Sequence, residues 1–123
     1  MTSGRAASGQ YWEEKASKFL VAQGLKLVAR GYRCRLGELD IICSDGPALV
    51  ICEVRARSST AFVSASESVD RHKRRRIVGA TRHFLMRHCE YANRPLRFDV
   101  IAVDAIDAPK PRLQWIKNAF QLG

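Results

Sequence analysis

The stretch that most restricts the fold is Ala48-Leu49-Val50-Ile51-Cys52, which runs straight into Glu53. A β-branched run that is apolar on both faces is stable only when both faces are covered, so it belongs at the centre of a sheet lying between helices. Just before it, Glu38 to Cys43 has the same strand-like composition, and Ser44-Asp45-Gly46-Pro47 separates the two. Asp and Gly favour tight reversals and Pro cannot sit inside a ladder, so the two runs are predicted to form an antiparallel hairpin. Folding it about Gly46 and Pro47 sets Asp40 roughly opposite Glu53, with both side chains on one face.

Two carboxylates side by side in apolar surroundings are costly, because burial and mutual repulsion both oppose ionisation. A divalent cation between them removes that cost. Oxygen donors suit Mg2+ or Mn2+, which take a few carboxylates and keep several waters. Such an ion can activate water and stabilise the charge that develops on a phosphodiester. The alternative is that Asp40 and Glu53 are strand-end acids paired with some of the many arginines. Spacing by itself leaves both readings open.

The remaining periodicity fills in the fold. Trp12, Ala16, Phe19, Leu20 and Gln23 step by three and four, with Gly24 as a stop, so a helix is expected from about Gln10. Residues 1–9 are small and polar, and a loose segment is expected there. Leu25 to Cys34 reads as a strand, and Ala48 to Arg55 as the run already described. Residues 56–66 read as a loop, followed by a helix over roughly Ser66 to Cys89 with Ile77, Ala80, Thr81, Phe84, Leu85 and His88 as its core stripe. Arg97 to Val103 is a strand, Arg112 to Ile116 another, and Lys117 to Phe120 a short terminal piece. The predicted order is α-β-β-β-α-β-β in one domain over 10–123, a mixed sheet flanked by helices.

Charge narrows the partners. Twenty-one Lys+Arg against twelve Asp+Glu give a formal +9, which favours polyanions: nucleic acid first, an anionic membrane surface second. Between Arg71 and Cys89 stand seven basic residues, Arg71, Lys73, Arg74, Arg75, Arg76, Arg82 and Arg87, and no acid. Like charges one turn apart destabilise a helix unless something anionic compensates. Phosphate contact is therefore expected, with Arg57, Arg71, Arg74, Arg75 and Arg76 as the nucleic-acid set. Two charges also interrupt core stripes. Lys73 lies one turn before Ile77, and Glu13 flanks the buried face three residues before Ala16, so both lean towards the sheet. Each also has a bland reading, as a snorkelling side chain or a favourable charge near a helix start.

No apolar run approaches the ~20 residues needed to span a bilayer, and the first ten residues lack a signal core, so a cytoplasmic protein is expected. Cys34, Cys43, Cys52 and Cys89 show no paired metal-site spacing and read as reduced thiols. His83 and His88 are five apart and do not stack on one helix face, which argues against a histidine metal site.

Gly37-Glu38-x-Asp40 followed by Glu53-Val54-Arg55 resembles the D…(D/E)-x-K signature of restriction-endonuclease-like nucleases. More narrowly, the chain resembles the YraN family of uncharacterised bacterial proteins. The likeness runs through Gln10-Tyr-Trp-Glu13-Glu-Lys-Ala16, Gly37-Glu-Leu-Asp40, Glu53-Val-Arg-Ala-Arg57, Lys73, Arg97-Phe-Asp-Val100 and Trp115-Ile-Lys-Asn-Ala-Phe120. It implies a restriction-endonuclease-like α/β sandwich similar to archaeal Holliday-junction resolvases. It implies that Asp40 and Glu53 are metal-binding acids, that Glu13 is the helix-borne third acid, and that Glu38 has a supporting part.

The chain departs from the superfamily pattern at Arg55, where a lysine is usual. Arginine keeps its proton at neutral pH and its planar fork is no substitute for an ammonium, though it can bind phosphate. Lys73 is the expected replacement. The leading expectation is thus a Mg2+- or Mn2+-dependent endonuclease acting on DNA, with Asp40, Glu53, Arg55 and Lys73 catalytic. A binding module that keeps the fold without the chemistry is the alternative. A protein–protein adaptor using Trp115, Ile116 and Phe120 is a third reading, and a homodimer is an expectation by analogy only.

Overall fold

A computed structural model describes residues 4–121, and the side chains from Gly9 onward. The elements are α1 (Gly4–Ala22), β1 (Lys26–Cys34), β2 (Gly37–Asp45), β3 (Ala48–Ala56), α2 (Arg71–Arg87), a 3-10 turn (Cys89–Tyr91), β4 (Leu96–Asp104) and β5 (Arg112–Phe120). They build one five-stranded sheet in the order β1-β2-β3-β4-β5. The strands β1, β2 and β3 form an antiparallel meander, β3 and β4 run parallel through the α2 crossover, and β5 returns antiparallel to β4. This is the mixed α/β sandwich predicted from the sequence.

The central run does what its composition demands. Leu49, Val50, Ile51 and Cys52 are all buried, and alternate residues go to opposite layers. Leu49 and Ile51 join Ile77, Ala80 and Phe84 of α2, together with Phe98 and Phe120. Val50 and Cys52 join Ala16 and Leu20 of α1, with Ile101, Val103, Trp12 and Trp115 around them. One helix therefore covers each face. The β2–β3 turn is the two-residue Gly46-Pro47 link closed by Asp45 opposite Ala48, with Gly46 at φ +57°. A positive φ at the first loop position is what the tight hairpin turns require.

The tip of the β1–β2 hairpin folds onto α2. A Cβ on Gly37 would stand 2.8 Å from the Arg76 carbonyl oxygen, so only glycine allows this backbone approach. Leu36 packs beside Gly79 at the same contact. The approach draws Leu39 into the α2 layer while Ile41 serves the α1 layer, so the alternation along β2 breaks at Asp40.

The strands β1 to β4 shift by one or two residues at their ends from the sequence reading, and four boundaries differ in ways that have a clear physical reason. The first helix begins at Gly4, so residues 4–9 of the segment expected to be loose are helical, while residues 1–3 lie outside the described residues. Gly, Ala and Ser carry no amphipathic signal, which is why periodicity begins only at Gln10. The second helix begins at Arg71 rather than Ser66, because Asp70 caps it by accepting from the Lys73 amide at 2.9 Å. Residues 65–69 instead form turns held by Ser68 N to Ser64 O and Val69 N to Ser66 O. It ends at Arg87 rather than Cys89. Finally, Lys117 to Phe120 is no separate piece. It continues β5 across an irregularity at Asn118, whose φ is +53°.

Candidate functional site

Glu53 and Asp40 meet where the β2–β3 ladder stops. The last ladder pair is Ile41 opposite Cys52, and carrying that register one step further sets Asp40 against Glu53. There the ladder gives way to side-chain chemistry: the Val54 amide donates to Asp40 Oδ2 at 2.9 Å. The sheet thus fixes Asp40 by a backbone donor on the strand that carries Glu53.

Glu53 is only 3% exposed. Its carboxyl is pushed up to about 9, first by burial, then by hydrogen bonding to Asp40 and the Asp40 charge, with Lys73 pulling the other way. Lys73 Nζ lies 3.1 Å from Glu53 Oε2, so α2 delivers its ammonium to the acid pair. The contact lacks hydrogen-bond alignment, and Glu53 Oε2 is the one buried side-chain polar atom without a hydrogen-bond partner among the described residues. A buried oxygen whose one close partner is a poorly aligned ammonium is only partly compensated, and at the end of three convergent elements it marks a place built for something more than packing.

Glu13 approaches the acid pair from the α1 side. Its carboxyl is raised to about 7 by burial and the Asp40 charge, opposed by Arg30, raised further by Glu38 and opposed by Arg33. It shares one electrostatic neighbourhood with Asp40. Yet among the described residues no three Asp, Glu, His or Cys side chains gather closely enough to hold a metal ion by themselves. Glu38 lies opposite Arg33 in the β1–β2 ladder, and the two form an ion pair at 3.5 Å. As an exposed pair it is worth at most ~1 kcal/mol.

Arg55 is turned to a structural partner. Its Nε donates to Ser68 Oγ at 2.9 Å, and Ser68 Oγ donates to the Ala65 carbonyl at 2.6 Å. This chain of bonds fastens β3 to the turns that precede α2. Arg57 lines a recess with Trp12, Val54, Arg55, Ser58, Ala61 and Ile106. Arg71, Arg74 and Arg75 line a cleft on α2, whereas Arg76 is not among the cleft residues. Arg82, which the sequence reading left out of the nucleic-acid set, is one of them. His83 shares a hydrogen bond with the Tyr32 hydroxyl, and His88 stacks on Phe84 with centroids 4.4 Å apart. Both histidines are packing residues.

The sequence reading also passed over Asp99. It is fully buried and accepts four hydrogen bonds: from Arg97 Nε at 2.9 Å, Arg97 Nη2 at 3.0 Å, Trp115 Nε1 at 3.0 Å and the Asn118 amide at 2.9 Å. Arg97 also reaches Asp45 Oδ2 at 2.9 Å. The Arg97-Phe-Asp-Val100 and Trp115-Ile-Lys-Asn segments are therefore one staple joining β4, β5 and the end of β2. Its signal in the sequence was an acid two residues from an arginine inside an apolar strand.

The fold and the acid pair together define a small α/β protein with two carboxylates and a lysine converging at the end of its central strands. The sequence is matched over residues 12–103 by the model of uncharacterised protein family UPF0102, and the chain belongs to that family. It is similar to the UPF0102 protein of Saccharophagus degradans, 47% identical over 115 residues that cover 94% of this chain and 93% of the relative. It is 44% identical over 113 residues to that of Alcanivorax borkumensis, covering 92% and 90%. The Methylococcus capsulatus relative is 40% identical over 119 residues, covering 97% and 94%.

Proposed function

We propose that the chain is a metal-dependent endonuclease that hydrolyses DNA phosphodiester bonds, as its likeness to restriction-endonuclease-like nucleases implies. The observation that carries this reading is the buried Glu53 carboxyl beside Asp40, with Lys73 Nζ 3.1 Å from its Oε2. The hard carboxylate oxygens of Asp40 and Glu53 are the donors that would hold Mg2+ or Mn2+. An ion held there would supply Lewis-acid stabilisation and a nucleophile at neutral pH.

The chain's own groups do the rest. Asp40 is oriented by the Val54 amide, and Glu53 by its place in the buried strand. Lys73, held at the acid pair by Glu53, brings a cation to where charge would develop on a bound phosphate, the part that Arg55, tied to Ser68, is badly placed to play. Glu13, whose carboxyl is raised in part by the Asp40 charge, adds a third acid to that neighbourhood from the α1 side.

Cleavage of plasmid, single-stranded, flapped and four-way-junction DNA with Mg2+ or Mn2+ tests this. Asp40→Ala and Glu53→Ala are expected to fall to background, and Lys73→Ala by about a hundredfold or more. A Lys73→Ala protein as active as wild type sinks the lysine's role. The engagement of Arg55 by Ser68 favours a second reading, a nucleic-acid-binding module with weak or lost chemistry. Binding by all proteins with no cleavage in any lane selects it.

A further inference from the structure

The cleft between α2 and the end of β5 has a volume of about 920 Å³ and is lined by Arg71, Arg74, Arg75, Arg82, Val78 and Phe120, among others, with no acid. Arg71, Arg75 and Arg82 are exposed and belong to none of the salt bridges among the described residues. Arg74 is held in place: its Nε donates to the Val69 carbonyl at 3.0 Å, and its guanidinium lies 5.3 Å from the centre of the Phe120 ring. Arg74 thus lines the cleft held by a carbonyl and a ring, and it too belongs to none of the salt bridges among the described residues.

The helix geometry separates this surface from the acids. Arg71, Arg75 and Arg82 sit roughly 160–180° around the helix from Lys73. From Arg71 to Arg82 the row extends about 16 Å along the axis. Four like charges on one face, with a fixed guanidinium among them, are self-repelling unless a chain of anions lies across them.

We propose that this cleft is a second, non-catalytic site that takes the phosphate backbone of nucleic acid over about five base pairs, given ~3.4 Å of rise per nucleotide. It rests on the nucleic-acid reading above but not on catalysis. Arg82 is its far anchor, and its contribution is to affinity and register rather than to bond cleavage.

The test is binding of a fluorescent 20-base-pair duplex by the full chain, without divalent metal, across a salt series. The variant Arg75→Glu/Arg82→Glu is compared with Lys26→Glu/Lys110→Glu, which changes net charge equally away from the cleft. The cleft variant is expected to bind at least about tenfold more weakly, with a salt slope shallower by about two, while the control stays near wild type. Melting temperatures confirm that both variants are folded. Equal weakening in both variants overturns the proposal, since only net charge would then matter. So does unchanged binding in the cleft variant. Inorganic tripolyphosphate that stabilises the wild type while the duplex fails to bind would assign the cleft to free polyphosphate and also overturn it. Absence of cleavage alongside selective loss of binding in the cleft variant removes the nuclease reading and leaves the cleft standing.

Discussion

Without a metal, the Asp40–Glu53 pair favours holding a proton, chiefly at the buried Glu53. Burial and Asp40 outweigh the pull of Lys73, and the carboxyl rises from 4.5 to about 9. The unfolded chain holds that proton only below about pH 4.5, so between the two values the folded state binds more protons. Stability from this group is complete below the lower value and is lost as the pH rises through the upper one. Through Glu53 alone the metal-free protein is expected to lose stability from pH 5 to pH 8 with a slope approaching about 1.4 kcal/mol per pH unit, and Glu13, raised to about 7, steepens the loss below that value. Glu53→Gln keeps the shape without the titration. Chemical denaturation across that range should show a flatter profile and a more stable variant at pH 8. A variant with the wild-type slope would place the titration elsewhere. The position of Lys73 was legible because a lysine interrupted an apolar stripe. The part of Arg55 was not, because its partner Ser68 lies in turns that have no periodicity.

The elements owe their placement to two contacts of opposite legibility. Gly37 presses the β1–β2 hairpin against the Arg76 carbonyl, whereas nothing lies within 4 Å of a Cβ added at Gly9 in α1. Gly37→Ala is expected to destabilise by about 1–3 kcal/mol through overpacking, and Gly9→Ala to stabilise by about 0.5–1 kcal/mol through helix propensity. Urea denaturation of the two variants checks the contrast, and equal effects would contradict the close approach. Asp99→Ala removes the acceptor of four hydrogen bonds and leaves Arg97 with Asp45 alone, a loss of about 3–5 kcal/mol. A variant with wild-type stability would show that the staple is dispensable. The hairpin that brings Asp40 to Glu53 was readable because its turn is local, in Asp45-Gly46-Pro47. The Asp99 staple was not, because Trp115 and Asn118 stand sixteen and nineteen positions away from it. The Asn118 amide makes its bond at the irregularity in β5, where the sequence reading had divided the strand near Lys117.

At the scale of the molecule, the sandwich, its strand order and the two helix layers follow from one doubly apolar strand and the helical stripes that cover it. Charge is distributed with the same logic. Asp40 and Glu53 meet at the sheet-end site, and the arginines of α2 are exposed. With a formal +9, binding to DNA should weaken steeply with salt; affinity that stays flat between 50 and 200 mM salt would argue against any backbone contact. Among the described residues no helix is long and apolar enough to cross a membrane.

The central claim is that Asp40 and Glu53 jointly hold a divalent cation. Calorimetric titration of Mn2+ near pH 7, in buffers of differing ionisation enthalpy, measures it directly. The wild type is expected to bind one ion and release about one proton, because the cation displaces the proton that Glu53 carries. Asp40→Ala and Glu53→Gln are expected to lose that binding while remaining folded. Mn2+ binding of equal affinity in all three proteins, or binding with no proton released, would contradict the account.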